Sequence, residues 1–323
     1  MSKLKADQFQ KICFVRTGGP GDANAFERGL RLCQRTNAEL SIVGVAEVPP
    51  AGILQLLASC GVSADVTSST SDQTLAVEQL VEMARQQGVQ ATGEILQGSD
   101  ALQVIRKIQQ EGHDLLIKAA QPSTTIRHMI FGHADFQLVR KCPCPVWIEK
   151  PSGAASYDRI LAAVDPAPFQ DEFDFDPQRE ELNTSILQMA VMLAQLENAV
   201  LHVVHVWNFA LEGPLQSRAD FTAQRVAEVG NSFKKQHEQA LSDLLEPFMP
   251  HISRVHLLKG QASDEISRLA VRENMDVVVM GTMCRTGIAG WLIGNTAETV
   301  LNQIESSVVA LKPSGFVSSV RVD

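Results

Sequence analysis

Gly281-Thr-Met-Cys284, nine further residues and then Gly294-Asn295 form the pattern in this chain with the most scope for chemistry, because they directly follow the apolar run Asp276-Val-Val-Val-Met280. That order predicts a buried strand, a loop, and a glycine turn opening a helix at Ala297. A glycine at a strand's carboxyl end lets a ligand approach the backbone, since no Cβ stands in the way. A helix N-terminus adds unpaired N–H groups and the positive end of the aligned peptide dipoles, which suits a phosphate. Asn295 and Glu298 also have capping-box spacing, so the same residues can satisfy the helix donors without a ligand.

Other residues carry weaker signals. Asp165 closes the run Ile-Leu-Ala-Ala-Val-Asp and either meets a ligand or turns the chain ahead of Pro166. His205, between Val204 and Val206, reads as a buried, hydrogen-bonded histidine before a catalytic one. Arg285 offers charge to a phosphate or is an exposed loop arginine. Thr17-Gly-Gly-Pro-Gly-Asp22 invites comparison with the Ser-Gly-Gly-x-Asp-Ser loop of ATP-dependent amidating enzymes. An extra glycine displaces the aspartate and both serines are missing, so a flexible turn ahead of a helix at Ala25 is expected. Asp171-Glu-Phe-Asp-Phe-Asp176 lacks the glycine and the glutamate of a calcium loop and reads as a solvated loop. Cys142-Pro-Cys144-Pro reads as a stiff lead-in to a strand, with no further ligands at metal-binding spacing. No Walker A loop, nucleophile–base constellation or metal cluster is visible, so catalysis lacks machinery.

These residues need elements to hold them, and the chain supplies them twice. Leu96 matches Leu258, a separation of 162, and the same separation joins Gly98 to Gly260, Asp114 to Asp276, Gly132 to Gly294 and Lys150-Pro151 to Lys312-Pro313. No gap is needed from Ile95 to Pro151. Upstream the separation becomes 161 at Asn37-Ala38 and Asn198-Ala199, and 148 at Ile12 and Ile160, so the second copy carries an insertion between its first strand and first helix. The period is that of a whole domain. We expect one domain over residues 1–151, a linker at 152–156, a second domain over 157–314 and a tail at 315–323.

In the first half, strands are expected at Ile12–Arg16, Leu40–Ala46, Thr92–Leu96, Leu115–Lys118 and Val146–Ile148. Helices are expected at Ala25–Thr36, Ala76–Gln87, Leu102–Gln110 and Ala134–Arg140, with a short one at Ile53–Ser59. In the second half, strands are expected at Ile160–Asp165, Leu201–Val206, Arg254–Leu258, Val277–Met280 and Val308–Leu311. A long helix runs from about Ala219 to Phe248, with Val226, Val229, Phe233, Ala240 and Leu244 on one face. Strict alternation of strand and helix predicts an α/β fold, and ligands in such sheets bind beyond the carboxyl ends where strand order reverses. That rule sets Asp165 and Gly281 beside one crevice.

The 323 residues carry a net charge of −9, with 45% apolar and 5% aromatic residues. An acidic chain without basic runs is a poor nucleic-acid binder. No segment approaches membrane-spanning length, and the N-terminus has no apolar stretch to serve as a signal peptide, so a cytoplasmic protein without membrane insertion is expected. The cysteines at 13, 33, 60, 142, 144 and 284 show no CxxC spacing and are expected to be free thiols.

Taken together, these residues resemble the universal stress protein family in its tandem, E-type form. That family's nucleotide motif is Gly-x2-Gly-x9-Gly followed by serine or threonine; here the spacing is kept, with Cys284 at the second glycine and Asn295 at the hydroxyl position. The resemblance implies two tandem Rossmann-like (HUP-type) domains, each a five-stranded parallel sheet with helices on both faces. It implies that Asp165 reaches the nucleotide, that the backbone of Val206 meets the base, and that Met280 and Gly281 flank base and ribose. Gly294, Asn295 and Thr296 would face the phosphates, beside Cys284 and Arg285. In the first half Arg16 is aligned with Asp165, Lys118-Ala-Ala-Gln-Pro122 replaces Met280-Gly-Thr-Met-Cys284, and only Gly132-His133 remains of the phosphate turn, so ATP is not expected there. The implied function is a non-enzymatic stress-response protein that binds ATP, a related nucleotide or another small ligand in its second half, with slow ATP hydrolysis at most. The halves would form a pseudo-dimer through their last strands, with a homodimer as a further option. The alternatives are an interaction scaffold that has lost ATP, a carrier of an amphipathic ligand using Pro49–Cys60, and an ATP-dependent ligase, against which the broken glycine loop argues.

Overall fold

The computed structural model describes residues 9–46, 59–60, 66–98, 100–121, 131–151, 153, 155–166, 177–218, 220–282 and 294–321. They form two compact units, one of residues 9–155 with 316–321, the other of residues 156–282 and 294–315.

The first unit runs β1 (Lys11–Arg16), α1 (Asp22–Thr36), β2 (Glu39–Ala46), α2 (Val66–Gln86), β3 (Ala91–Gln97), α3 (Asp100–Glu111), β4 (Leu115–Ala119), α4 (His133–Lys141), β5 (Val146–Glu149). Its strands pair in parallel in the order β3-β2-β1-β4-β5. Four consecutive residues of β1, Ile12 to Val15, are buried, as are all of β4 and β5. Successive side chains on a strand face opposite ways, so this burial means that both faces of the sheet are covered. Arg28 of α1 and Glu149 of β5 bury a 3.0 Å ion pair in which neither side chain reaches solvent.

The second unit runs β6 (Arg159–Ala163), α5 (Pro177–Glu197), β7 (Val200–Trp207), α6 (Glu212–Gln216), α7 (Ala223–Leu245), β8 (Arg254–Lys259), α8 (Ala262–Arg272), β9 (Val277–Gly281), α9 (Asn295–Gln303) and β10 (Ser307–Leu311). The parallel order is β10-β9-β6-β7-β8. Thr222 caps α7 by accepting from Arg225 N at 3.3 Å, later than the expected start at Ala219. The helix tightens into a 3-10 turn over Glu246–His251, where Pro247 and Pro250 remove the N–H groups that α-helical bonding needs. The expected helix at Ile53–Ser59 and the acidic insertion Asp171–Asp176 fall largely or wholly outside the described residues.

Equivalent positions do equivalent work in both units. Asn37 and Asn198 end α1 and α5 in the left-handed region, with φ of 60° and 56°. Gly98 and Gly260 follow the third strand of each unit with positive φ. Asp114 accepts the N–H groups of Gln10 and Lys11 at 2.7 and 3.3 Å, and Asp276 accepts those of Asp158 and Arg159 at 2.8 and 3.0 Å. Each carboxylate satisfies backbone donors where the first strand enters its sheet.

Beside Asp114, Glu111 takes ammonium groups from Lys11 at 2.9 Å and Lys107 at 2.5 Å. Burial alone would raise the Glu111 carboxyl, but the hydrogen bonds from Lys107 and Lys11 bring it down to about 2. A carboxylate depressed on folding adds stability above its unfolded value, and that contribution disappears as pH falls through the folded value. The stability difference between wild type and Glu111→Gln in urea unfolding is therefore expected to be constant above pH ~5. It should shrink on acidification towards pH ~2.

Candidate ligand site

In the second unit, strand order reverses between β6 and β9, whose register pairs Ala163 with Met280. Asp165 lies two residues past β6 and is half-buried; Met280 is buried, and Gly281 ends β9. Val206 lies near the end of β7 and is half-buried, while α9 begins at Asn295 with Thr296 exposed. Asn183 of α5 grips the backbone of Asp165 from both sides, its Oδ1 accepting from Asp165 N at 2.9 Å and its Nδ2 donating to Asp165 O at 3.0 Å. Cys284 and Arg285 lie outside the described residues.

Two glycines there have structural reasons to be glycine or to be engaged. A Cβ on Gly281 would stand 2.6 Å from Leu182 Cδ2 and 3.1 Å from its Cγ, so this strand end is covered by a leucine. The Gly294 N–H donates to Thr282 O at 3.3 Å. The capping box expected of Asn295 and Glu298 gives way to a different start: Gly294 is the N-cap, and Asn295 is already the first helical residue.

His205 is buried, its Nδ1 3.2 Å from Val164 O and its Nε2 2.8 Å from His237 Nδ1. His237 comes from α7, one turn after Phe233 on the apolar stripe, and stacks near Trp207. The sequence reading missed it; the four-residue step from Phe233 was the available signal. The expected stripe holds at Val226, Val229 and Phe233, which pack with Trp207 and Phe209.

The same location in the first unit is organised around its own carboxylates. Val15 pairs with Lys118 as Ala163 pairs with Met280. Lys118 and Met280 are counterparts, so Arg16 corresponds to Val164, and Thr17 corresponds to Asp165. This corrects the alignment of Arg16 with Asp165. Asp22, the counterpart of Asn183 at the 161-residue separation, accepts from Thr17 N at 2.9 Å, Gly18 N at 2.7 Å and the Thr17 hydroxyl at 2.8 Å. The expected flexible turn is therefore a tied one, and α1 begins at Asp22 rather than Ala25. Lys118 donates to Asp135 Oδ1 at 2.7 Å, and both side chains are buried. Asp135 Oδ2 accepts from Gln121 N at 3.1 Å and Gly132 N at 2.9 Å. A Cβ on Gly132 would lie 2.4 Å from Gln121 O, so that glycine is required by backbone packing alone.

Asp22 with Thr17, against Asn183 with Asp165, is a charge rule. Where the loop residue is neutral, a carboxylate grips it; where the loop residue is acidic, a neutral amide does, avoiding like charges side by side. Size follows a parallel rule. Gly21 and Leu182 are counterparts, as are Ala119 and Gly281. A Cβ on Gly21 would meet the Ala119 Cβ at 3.0 Å and the Pro151 Cα at 3.1 Å, so in each unit only one member of the pair carries a side chain at this contact.

The described cysteines are free. The Sγ atoms of Cys142 and Cys144 lie 3.5 Å apart in the lead-in to β5, and hydrogen bonding to Cys142 together with burial raises the Cys144 thiol. Among the described residues no group of three or more His, Cys, Asp or Glu side chains is placed to hold a metal, and no helix is long and apolar enough to cross a membrane.

The model of the universal stress protein family matches residues 8–150 and again 156–312. The chain is 28% identical over 221 residues to universal stress protein E of Escherichia coli K12, covering 68% of this chain and 67% of that one. It is 26% identical over 220 residues to the protein of the same name from Photorhabdus laumondii, with the same coverage. Among solved structures, a functionally unknown protein from Pseudomonas aeruginosa PAO1 superposes with a TM-score of 0.72 at 24% identity, covering 95% of this chain and 94% of its own. A universal stress protein from Archaeoglobus fulgidus reaches 0.61 at 16% identity, over 94% and 99%. These likenesses show the fold.

Two double-mutant cycles test the packing at the two strand ends. Gly281→Ala is expected to destabilise by about 1–3 kcal/mol, and Leu182→Ala in the same chain to recover part of that loss in denaturant unfolding. Lys118→Met leaves the buried Asp135 carboxylate without its counter-charge and is expected to cost about 3–5 kcal/mol. Adding Asp135→Ala, which recreates the Met280 and Ala297 pair of the second unit, should cost less than the single change.

Proposed function

The chain belongs to the universal stress protein family, and from that premise we propose that it is a cytoplasmic stress-response protein whose second unit receives ATP or a related nucleotide, as a regulatory rather than a catalytic event. The supporting observation is the placement of Asp165 and Met280–Gly281 at neighbouring strand ends where β6 and β9 meet, the point at which open α/β sheets receive ligands. On this reading the Val206 backbone meets the base, Met280 and Gly281 flank base and ribose, and Gly294, Asn295 and Thr296 face the phosphates. Cys284 takes the place of the motif's second glycine, with Arg285 beside it. The grip of Asn183 holds the Asp165 backbone in one position before any ligand arrives, which reduces the ordering cost of binding.

A second reading, an interaction scaffold that has lost nucleotide binding, draws on Leu182 over Gly281 and on the Gly294 N–H already engaged by Thr282. Titration calorimetry of the full chain with ATP separates the two. Saturable binding is expected to wild type, with loss of at least tenfold in affinity for Thr296→Glu, an exposed substitution that sets a negative charge at the start of α9, and abolition for Gly294→Asp. No heat from wild type, persisting in Leu182→Ala, would leave the scaffold reading standing instead.

A further inference from the structure

Beyond the carboxyl ends of β1, β2 and β4 the first unit holds a cavity of about 270 Å³, with Arg16, Thr17, Val45, Gln73, Lys118 and Gln121 among its walls. Most polar groups on these walls already have partners inside the protein. Thr17 and the Gly18 N–H are bound to Asp22. Lys118 is bound to Asp135, with Gln121 Oε1 at 3.4 Å, and the Gln121 N–H is bound to Asp135 as well. Two groups stand apart. The Arg16 guanidinium forms no hydrogen bond or ion pair with any described residue, and the Gln73 side-chain carbonyl is buried without a hydrogen-bond partner. A buried acceptor left unmade is costly, and an unpaired guanidinium on a cavity wall is a ready fork for an acid group.

We propose that this cavity binds a small organic acid carrying one negative charge and one N–H or O–H donor, of the amino- or hydroxy-carboxylate class. The carboxylate pairs with the Arg16 guanidinium, whose planar donors match two oxygens at once. The ligand's donor reaches Gln73 Oε1, and its carbon frame lies against Val15, Val45, Val104 and Leu138.

Charge and size set the class. Asp22 and Asp135 already hold the backbone N–H groups that a phosphate chain would need, and while Lys118 balances Asp135, the charge of Asp22 opposes a multiply charged anion. Arg16 is the cation left for a ligand on these walls, so a single negative charge is matched and a triphosphate is not. The volume exceeds the ~150 Å³ of a cavity that admits benzene and falls just below the ~300–1,000 Å³ of pockets for larger ligands. A branched acid of about nine heavy atoms fits that interval. This site is independent of the nucleotide reading of the second unit.

The test uses the full chain and three probes of nearly equal size: leucine, 2-hydroxy-4-methylpentanoate and 4-methylpentanoate, titrated by calorimetry. At least one of the two probes with a donor on the second carbon is expected to bind tenfold or more tighter than 4-methylpentanoate. Arg16→Gln should weaken that binding by tenfold or more, whereas Gln73→Leu should erase the preference for the donor while keeping residual affinity for the acid. Thr296→Glu should leave all three titrations unchanged, which keeps this outcome separate from that of the ATP titration. Absence of binding by every probe to the wild type would overturn the proposal. So would equal binding to Arg16→Gln, or a donor preference that survives in Gln73→Leu.

Discussion

Backbone N–H groups at the carboxyl end of a parallel sheet must find acceptors, and the way each unit meets that demand determines much of what surrounds it. The first unit uses carboxylates. Asp22 closes the loop after β1, and Asp135 accepts from Gln121 and Gly132 at the start of α4. A buried carboxylate needs a counter-charge, and Lys118, itself buried, supplies it. The second unit uses the neutral Asn183 for the loop after β6 and has Met280 and Ala297 where the ion pair would be. One unit therefore carries a buried ion pair where the other carries a methionine and an alanine.

Much of the fold was legible because the repeat preserved residues with positional duties. Asp114 and Asp276, Gly98 and Gly260, and Asn37 and Asn198 recur because each answers a fixed backbone need: an entry donor, a positive φ, a helix end. Parallel strands buried on both faces read as apolar runs, so the strands were found to within a residue or two, with β6 ending at Ala163 rather than Asp165. The start of α7 was misplaced, because Thr222 as a cap outweighs the helical preference of the residues before it.

The candidate site was less legible, for a geometric reason. Its frame was predicted from Asp165, Gly281 and Gly294, but the explanation of Gly281 lies in Leu182, which is ninety-nine positions away and becomes its neighbour only through the packing of α5 on β9. Arg16 was set against Asp165 although the separation of 148 at Ile12 and Ile160 already carries it to Val164, the counterpart that strand register fixes. The segment Lys118–Pro122 read as loss of a motif, whereas in the structure Lys118 forms with Asp135 a buried pair that has its own hydrogen bonds.

The exchange of Gly21 and Ala119 for Leu182 and Gly281 has a consequence for the history of the gene. A recombination event that joined the first helix of one repeat to the fourth strand of the other would set Leu182 against the methyl group of Ala119, or leave Gly21 facing Gly281 across a void. Either chimera is worse packed than its parents. While both substitutions stand, exchange of this segment between the repeats therefore carries a packing cost.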